Sequence, residues 1–108
     1  MSRNSRNNAA PLFAALGDEA RLLILRRLST EGPQSITNLT TGSRITRQAV
    51  TKHLRVLRSA GIVRDHRRGR ENLWTLEERR LEEARHYLDR ISRQWDAALD
   101  RLRKFVED

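Results

Sequence analysis

Residues 1–8 are rich in Asn, Arg and Ser and carry no repeating apolar pattern, so the stretch is expected to be a disordered tail. Apolar periodicity begins after it. A short helix is predicted from Pro11 to Leu16, because proline is tolerated in a first turn and Gly17 can stop it. Asp18 can cap a second helix, in which Leu22, Leu25 and Leu28 recur at helical spacing and which ends before Glu31-Gly32-Pro33. Both helices are expected to supply core.

Ser35 can cap a third, short helix over Ile36 to Thr41, and Gly42 breaks it. Thr46 can then cap a helix that runs to Ala60 and stops at Gly61. Two helices joined by a short glycine-containing turn form a helix-turn-helix pattern. On a helical wheel Ala49, Val50, His53, Leu54, Leu57 and Ala60 share one arc, whereas Arg47, Gln48, Thr51, Lys52, Arg55 and Arg58 share the opposite one. Val56 falls outside the apolar arc without a reason visible in the sequence. The polar arc holds the residue types that reach phosphates and base edges in a DNA major groove.

Ile62-Val63 and Asn72 to Leu76 are short β-prone runs around RDHRRGREN (64–72), which predicts a β-hairpin with Gly69 at its turn. Such a ribbon directly after a recognition helix acts as a wing whose arginines meet the sugar-phosphate backbone. The plainer account is a polar hairpin tip whose arginines keep an edge strand from aggregating.

From 78 to 106 the rhythm changes to sevens. Leu81, Leu88, Trp95 and Leu102 form one row, and Ala84, Ile91, Ala98 and Phe105 form a second row offset by three, which makes four heptads. A helix of this length reaches roughly 40 Å, too long for a small domain to cover. The alternative is a row that packs only within its own chain. An isologous two-fold interface is therefore expected, built from Leu12, Phe13 and Leu16 of the first helix and Leu81, Leu88, Ile91, Trp95, Leu99, Leu102 and Phe105 of the last.

Charge sharpens this picture. The net charge of the 108 residues is +8, and the segment from Arg44 to Arg70 holds nine basic side chains against one acid, Asp65. The rest of the chain is balanced, so the whole excess sits in the helix-turn-helix and the hairpin. That segregation is the footprint of a polyanion-binding face, although a solvated basic face looks the same in composition. The chain has no cysteine, which removes disulfides, thiolate metal ligands and a cysteine nucleophile. It also has no His-Glu-x-x-His, no glycine-rich phosphate loop and no recognisable serine triad, so an enzyme is not expected. With no membrane span and no secretory signal, the expected location is the cytoplasm.

Three stretches carry a resemblance. LFAALGDEARLLILRRL (12–28), ITRQAVTKHLRVLRSAGIV (45–63) and RRGRENLWTL (67–76) resemble the ArsR-type bacterial winged helix-turn-helix repressors over about residues 10 to 106. The resemblance implies a mainly α fold with a small β-hairpin wing, in the order α-α-α-α-β-β-α, as a single domain over 9–108 dimerising through its first and last helices. It implies a homodimer that binds a double-stranded DNA operator of dyad symmetry and leaves it when an inducer is sensed. The recognition-helix contacts it implies fall on Thr46, Arg47, Gln48, Thr51, Lys52, His53 and Arg55, and the wing contacts on Arg64, Arg67, Arg68 and Arg70. For His53 a semi-buried structural imidazole is an equal reading. The chain departs from the metal-sensing members of that family. The cysteines are absent, and of the ligands expected on the last helix only His86 and Asp89 lie near the place, so no metal and no cofactor is expected. The competing function is a winged-helix interaction module that binds RNA or a protein partner.

Overall fold

In the computed structural model, which describes residues 9–107, four helices, a hairpin and a long final helix follow one another. The tail expected over residues 1–8 lies outside the described residues. No helix among them is long and apolar enough to cross a membrane. Helix α1 spans Ala9–Leu16 and starts two residues before Pro11, which still falls in the first turn, where a missing N–H costs no intrahelical bond. Helix α2 spans Glu19–Glu31; Asp18 caps it, its carboxylate accepting from the Arg21 N–H at 3.1 Å. Helix α3, Ile36–Thr40, is capped by Ser35, and helix α4, Arg47–Ser59, by Thr46, each hydroxyl accepting a backbone N–H at 3.1 Å. Helix α3 ends one residue short of the expected Thr41, whose N–H still bonds to the Thr37 carbonyl. Such one-residue differences are ordinary at helix ends.

Strands β1, Val63–Arg68, and β2, Glu71–Leu76, pair antiparallel from Val63↔Leu76 to Arg68↔Glu71. The ribbon is longer than its apolar runs suggest, because Arg64 to Arg68 pair through their backbone whatever their side chains. Gly69-Arg70 is left as a two-residue turn, with Gly69 at φ +63° and Arg70 not in the left-handed region, the pattern that suits glycine in the first turn position. Gln34, between α2 and α3, adds a bridge to Trp74 of β2 through two backbone bonds of 3.1 and 2.8 Å. The hairpin is thus tied to the start of the helix-turn-helix as well as to its end.

One core serves these elements. Leu12 of α1, Ile24 and Leu28 of α2, Leu39 of α3, Val50, Leu54 and Leu57 of α4, and Ile62, Val63 and Trp74 around the hairpin are all buried. Each aliphatic side chain fully removed from water contributes about 1.5–3 kcal/mol, so α4 is the best-anchored helix. Two expectations change here. Leu22 is 51 % exposed, and Ile24 takes its place. On the wheel Ile24 lies about 40° from Leu28 and Leu22 about 120° away, so spacing by threes drifts off the buried face. Val56, unexplained by the sequence, is half-buried against the core and shares a shallow hollow with Pro11, Ala14 and Ala15 of α1.

Helix α5, Glu78–Glu107, leaves this body. Its first turns pack on the core through Leu81 and Ala84, and Tyr87 meets Phe13 of α1 with ring centroids 5.4 Å apart. Beyond Ile91 every described residue is exposed. The radius of gyration is 18.1 Å, against about 13 Å for a compact chain of this length. The difference is the projecting rod.

Candidate DNA-binding surface

The apolar stripe of α4 fixes what its other side can do. With Val50, Leu54 and Leu57 held at 0 % exposure, Thr46, Arg47, Gln48, Lys52 and Arg55 stand on the open side. Together with Ala49 and the half-buried Thr51 they line one shallow hollow of about 980 Å³. No acid lines it. Arg47 donates from Nη1 to the Thr37 Oγ1 at 2.8 Å, which ties the start of α4 to α3. The Thr51 hydroxyl donates to the Arg47 carbonyl at 2.9 Å, so what it still offers outward is oxygen lone pairs and a methyl group.

His53 stands apart from that group. Its Nδ1 lies 3.3 Å from Nη1 of Arg21, whose Nε also donates to the Ala15 carbonyl at 2.6 Å. For Nδ1 to accept, the ring proton sits on Nε2. His53 thereby joins α4 to the α1–α2 corner and does not line the open hollow. Arg21 was invisible to sequence reasoning as anything but a helix-surface charge. The N–H of Arg21 and, more weakly, its guanidinium hold the Asp18 carboxyl below its ordinary value.

On the hairpin the arginines divide by what they already hold. Arg64 lies 3.6 Å from Glu77, and Arg67 donates from Nε to the Gly69 carbonyl at 3.2 Å, bracing the tip. Arg58, at the end of α4, bonds Asp65 of β1 at 3.0 Å and lies 5.5 Å above the Trp74 ring, so it clamps α4 to the wing. The side chains of Arg68 and Arg70, like those of Arg44, Lys52 and Arg55, make no ion pair or hydrogen bond with any described residue. Five of the nine basic side chains in the segment are therefore free to meet an outside anion, and they lie along α4, its leading turn and the wing tip. Of the remaining four, Arg58, Arg64 and Arg67 brace the wing, while Arg47 is tied to Thr37 through one nitrogen and still lines the open hollow.

The interface residues split in the same way. Leu12 is 1 % exposed and Leu81 packs on the same core, so their own chain already covers both. Phe13 and Leu16 are half-buried. Leu88, Trp95, Leu99, Leu102 and Phe105 are exposed, with Trp95 at 64 % and Phe105 at 81 %. Among the described residues no three His, Asp or Glu side chains gather as a metal site, and His86 stands 3.4 Å from Glu82 on the surface of α5.

A model of a helix-turn-helix domain matches residues 16–66, from the end of α1 into β1. The HTH-type transcriptional regulator Rv2034 of Mycobacterium tuberculosis is 32 % identical over 95 residues, which cover 88 % of this chain and 85 % of that protein. The solved ArsR-like transcriptional regulator from Rhodococcus sp. RHA1 superimposes with a TM-score of 0.81 at 33 % identity, over 94 % of this chain and 95 % of the other. The chain belongs to the ArsR family of winged helix-turn-helix transcriptional regulators. The resemblance of fold also reaches the homodimeric winged helix-turn-helix DNA-binding domain of Mb0332 from Mycobacterium bovis, described as a possible ArsR-family transcriptional regulator. That domain is 21 % identical with a TM-score of 0.63, over 88 % of this chain and 84 % of the other, a likeness of fold alone. ArsR membership places the chain among DNA-binding transcription regulators.

Proposed function

We propose that the protein is a homodimeric repressor that reads a double-stranded operator of dyad symmetry and is released from it by an inducer. The observation that carries this is the open face on which the Lys52 and Arg55 side chains stand without partners among the described residues beside Arg47 and Gln48, with the side chains of Arg68 and Arg70 equally free at the wing tip. Lysine and arginine neutralise phosphates, while arginine and glutamine pair in two-point fashion with guanine and adenine edges. In this reading Arg47, Gln48 and Thr51 face bases. Thr46, Lys52 and Arg55 flank them, and Arg68 and Arg70 follow the adjoining backbone. Arg64, Arg67 and His53 hold the reader in shape, with Arg64 and Arg67 adding positive potential. The homodimeric Mb0332 domain supports the same two-fold assembly, here through the exposed seam of α5 with Phe13 and Leu16. Residues 9–108 then act as one domain with its dimerisation helix, working in the cytoplasm with no cofactor.

The test is a titration of the full chain against a genomic operator fragment selected by pull-down, against random duplex and against structured RNA, over a range of salt. A repressor favours its operator over random duplex by about 10³-fold or more and loses affinity steeply as salt rises. Equal or tighter binding to the RNA identifies an RNA-binding module instead.

A further inference from the structure

A further hollow lies apart from the one lined by the polar side of α4. It lies between α2 and the turn that joins α3 to α4, and has a volume of about 490 Å³. That is within the range of small-molecule sites. Its floor is the core itself: Ile24, Leu39 and Val50 are at most 5 % exposed. Leu23 forms a wall and is 56 % exposed, an aliphatic side chain that the described residues leave largely open to water. Ile45, just before α4, lies opposite in sequence and also lines the space.

The rim is cationic. Arg26, Arg27 and Arg44 line it against one acid, Glu31. Arg27 is already held by Glu31 and by the carbonyls of Asn38 and Leu39, at 3.0 to 3.3 Å. Arg26 and Arg44 hold nothing among the described side chains. An apolar floor with two unspent guanidinium groups at its mouth fits an apolar body bearing one carboxylate, since the chain loses water against Leu23 and the anion takes charge-assisted bonds.

We propose that this hollow binds a small amphipathic carboxylate, an alkyl or aryl acid, and that its occupation weakens the grip of α4 on DNA. The second half rests on the DNA-binding reading above. Two links join the hollow to α4. Val50 is both its floor and a core anchor of α4, so a molecule wedged there bears on the seat of the recognition helix. Arg44 is one of the five unpaired cations of the basic segment, so a carboxylate that engages it removes a charge from the face that meets phosphates.

Calorimetry of the full chain with octanoate, kept below its micelle concentration, tests the site, and octylammonium is the control of opposite charge. The expected result is one octanoate per chain with octylammonium at least about tenfold weaker, the effect of one charge-assisted contact. Leu23→Trp fills the hollow at an exposed position and should abolish binding. Arg26→Glu leaves the floor intact and should reduce octanoate binding to the octylammonium level, with circular dichroism confirming that both variants fold. Equal binding of the two probes, no binding of octanoate, or binding unchanged by Leu23→Trp overturns the site. A duplex titration at saturating octanoate tests the coupling, which is overturned if affinity does not fall. If the chain takes octanoate yet binds no duplex at all, the DNA-binding reading fails and the site stands.

Discussion

Helices α4 and α5 are both strongly amphipathic, yet their apolar faces have opposite fates. That of α4 vanishes into its own chain, with Val50, Leu54 and Leu57 wholly buried. That of α5 is covered by its own chain at Leu81 and Ala84 and partly at Tyr87 and Ile91, whereas Leu88, Trp95, Leu99, Leu102 and Phe105 face outward. Amphipathicity alone says that a helix has something to hide and does not say from whom. The answer lies in length and neighbours. Helix α4 has 13 residues and sits among α1, α2, α3 and β1, whereas α5 has 30 and outruns everything it could lean on. A contiguous apolar stripe of this size marks an interaction surface on a monomer.

The contrast is most exposed to failure at Trp95. Trp95→Asp sets a charge in the seam and should convert dimers to monomers by sedimentation. Operator affinity should drop by about a hundredfold or more, because each recognition helix alone reads one half-site. An intact dimer in that variant contradicts the assignment of α5. Next in size is truncation of the two stripes. Leu54→Ala should cost about 3 kcal/mol in chemical denaturation at any protein concentration, as for other buried leucines. Leu102→Ala should lower stability only at concentrations where dimers form, so equal and concentration-independent losses would erase the distinction.

The polar face of α4 gives smaller effects that divide by kind. Arg47→Ala or Gln48→Ala should cost about 1–3 kcal/mol and relax base preference at fixed operator positions. Arg68→Ala or Arg70→Ala should weaken every duplex alike and lower the salt slope by about 1 each. Identical behaviour of the two classes contradicts the division between reading and positioning.

The smallest effect is electrostatic. The Asp18 carboxyl is held low by the Arg21 N–H and guanidinium, and the Glu31 carboxyl by the Arg27 guanidinium. A folded-state value depressed in this way contributes stability above the unfolded value and loses it as pH falls through the folded one. Melting temperature should therefore be flat near neutrality and decline below about pH 4. Asp18→Asn should flatten part of that acid limb, and an unchanged limb removes Asp18 from the explanation.

Much of the fold was legible because local chemistry and tertiary context agreed. Asp18, Ser35 and Thr46 all cap the helices that their positions announce, and Gly69 sits in the turn that the flanking runs bracket. What stayed hidden depends on contacts across the chain. The Gln34 bridge to Trp74 joins residues forty apart, and one residue of pairing leaves no periodicity to read. Leu12 belongs to the core because α1 folds back over α4, which its own spacing could not tell from a role in the seam. The candidate surface was half-legible. A charge count finds the basic segment, but which arginines are spent internally depends on Asp65, Glu77, Thr37 and the Gly69 carbonyl lying within reach.

The double fastening of the wing has a mechanical consequence. Both fastenings meet the hairpin on one rung, the Asp65–Trp74 pair, where Gln34 bonds Trp74 and Arg58 holds Asp65 and lies over the Trp74 ring, so the base of the ribbon is fixed to the helix-turn-helix. The two prongs then behave as a fixed caliper with a set gap between its jaws. Such a tool measures groove width as well as lettering, so duplexes with the right bases but the wrong local shape should be refused, and loosening the Arg58 rivet should make the instrument less choosy before it makes it weaker.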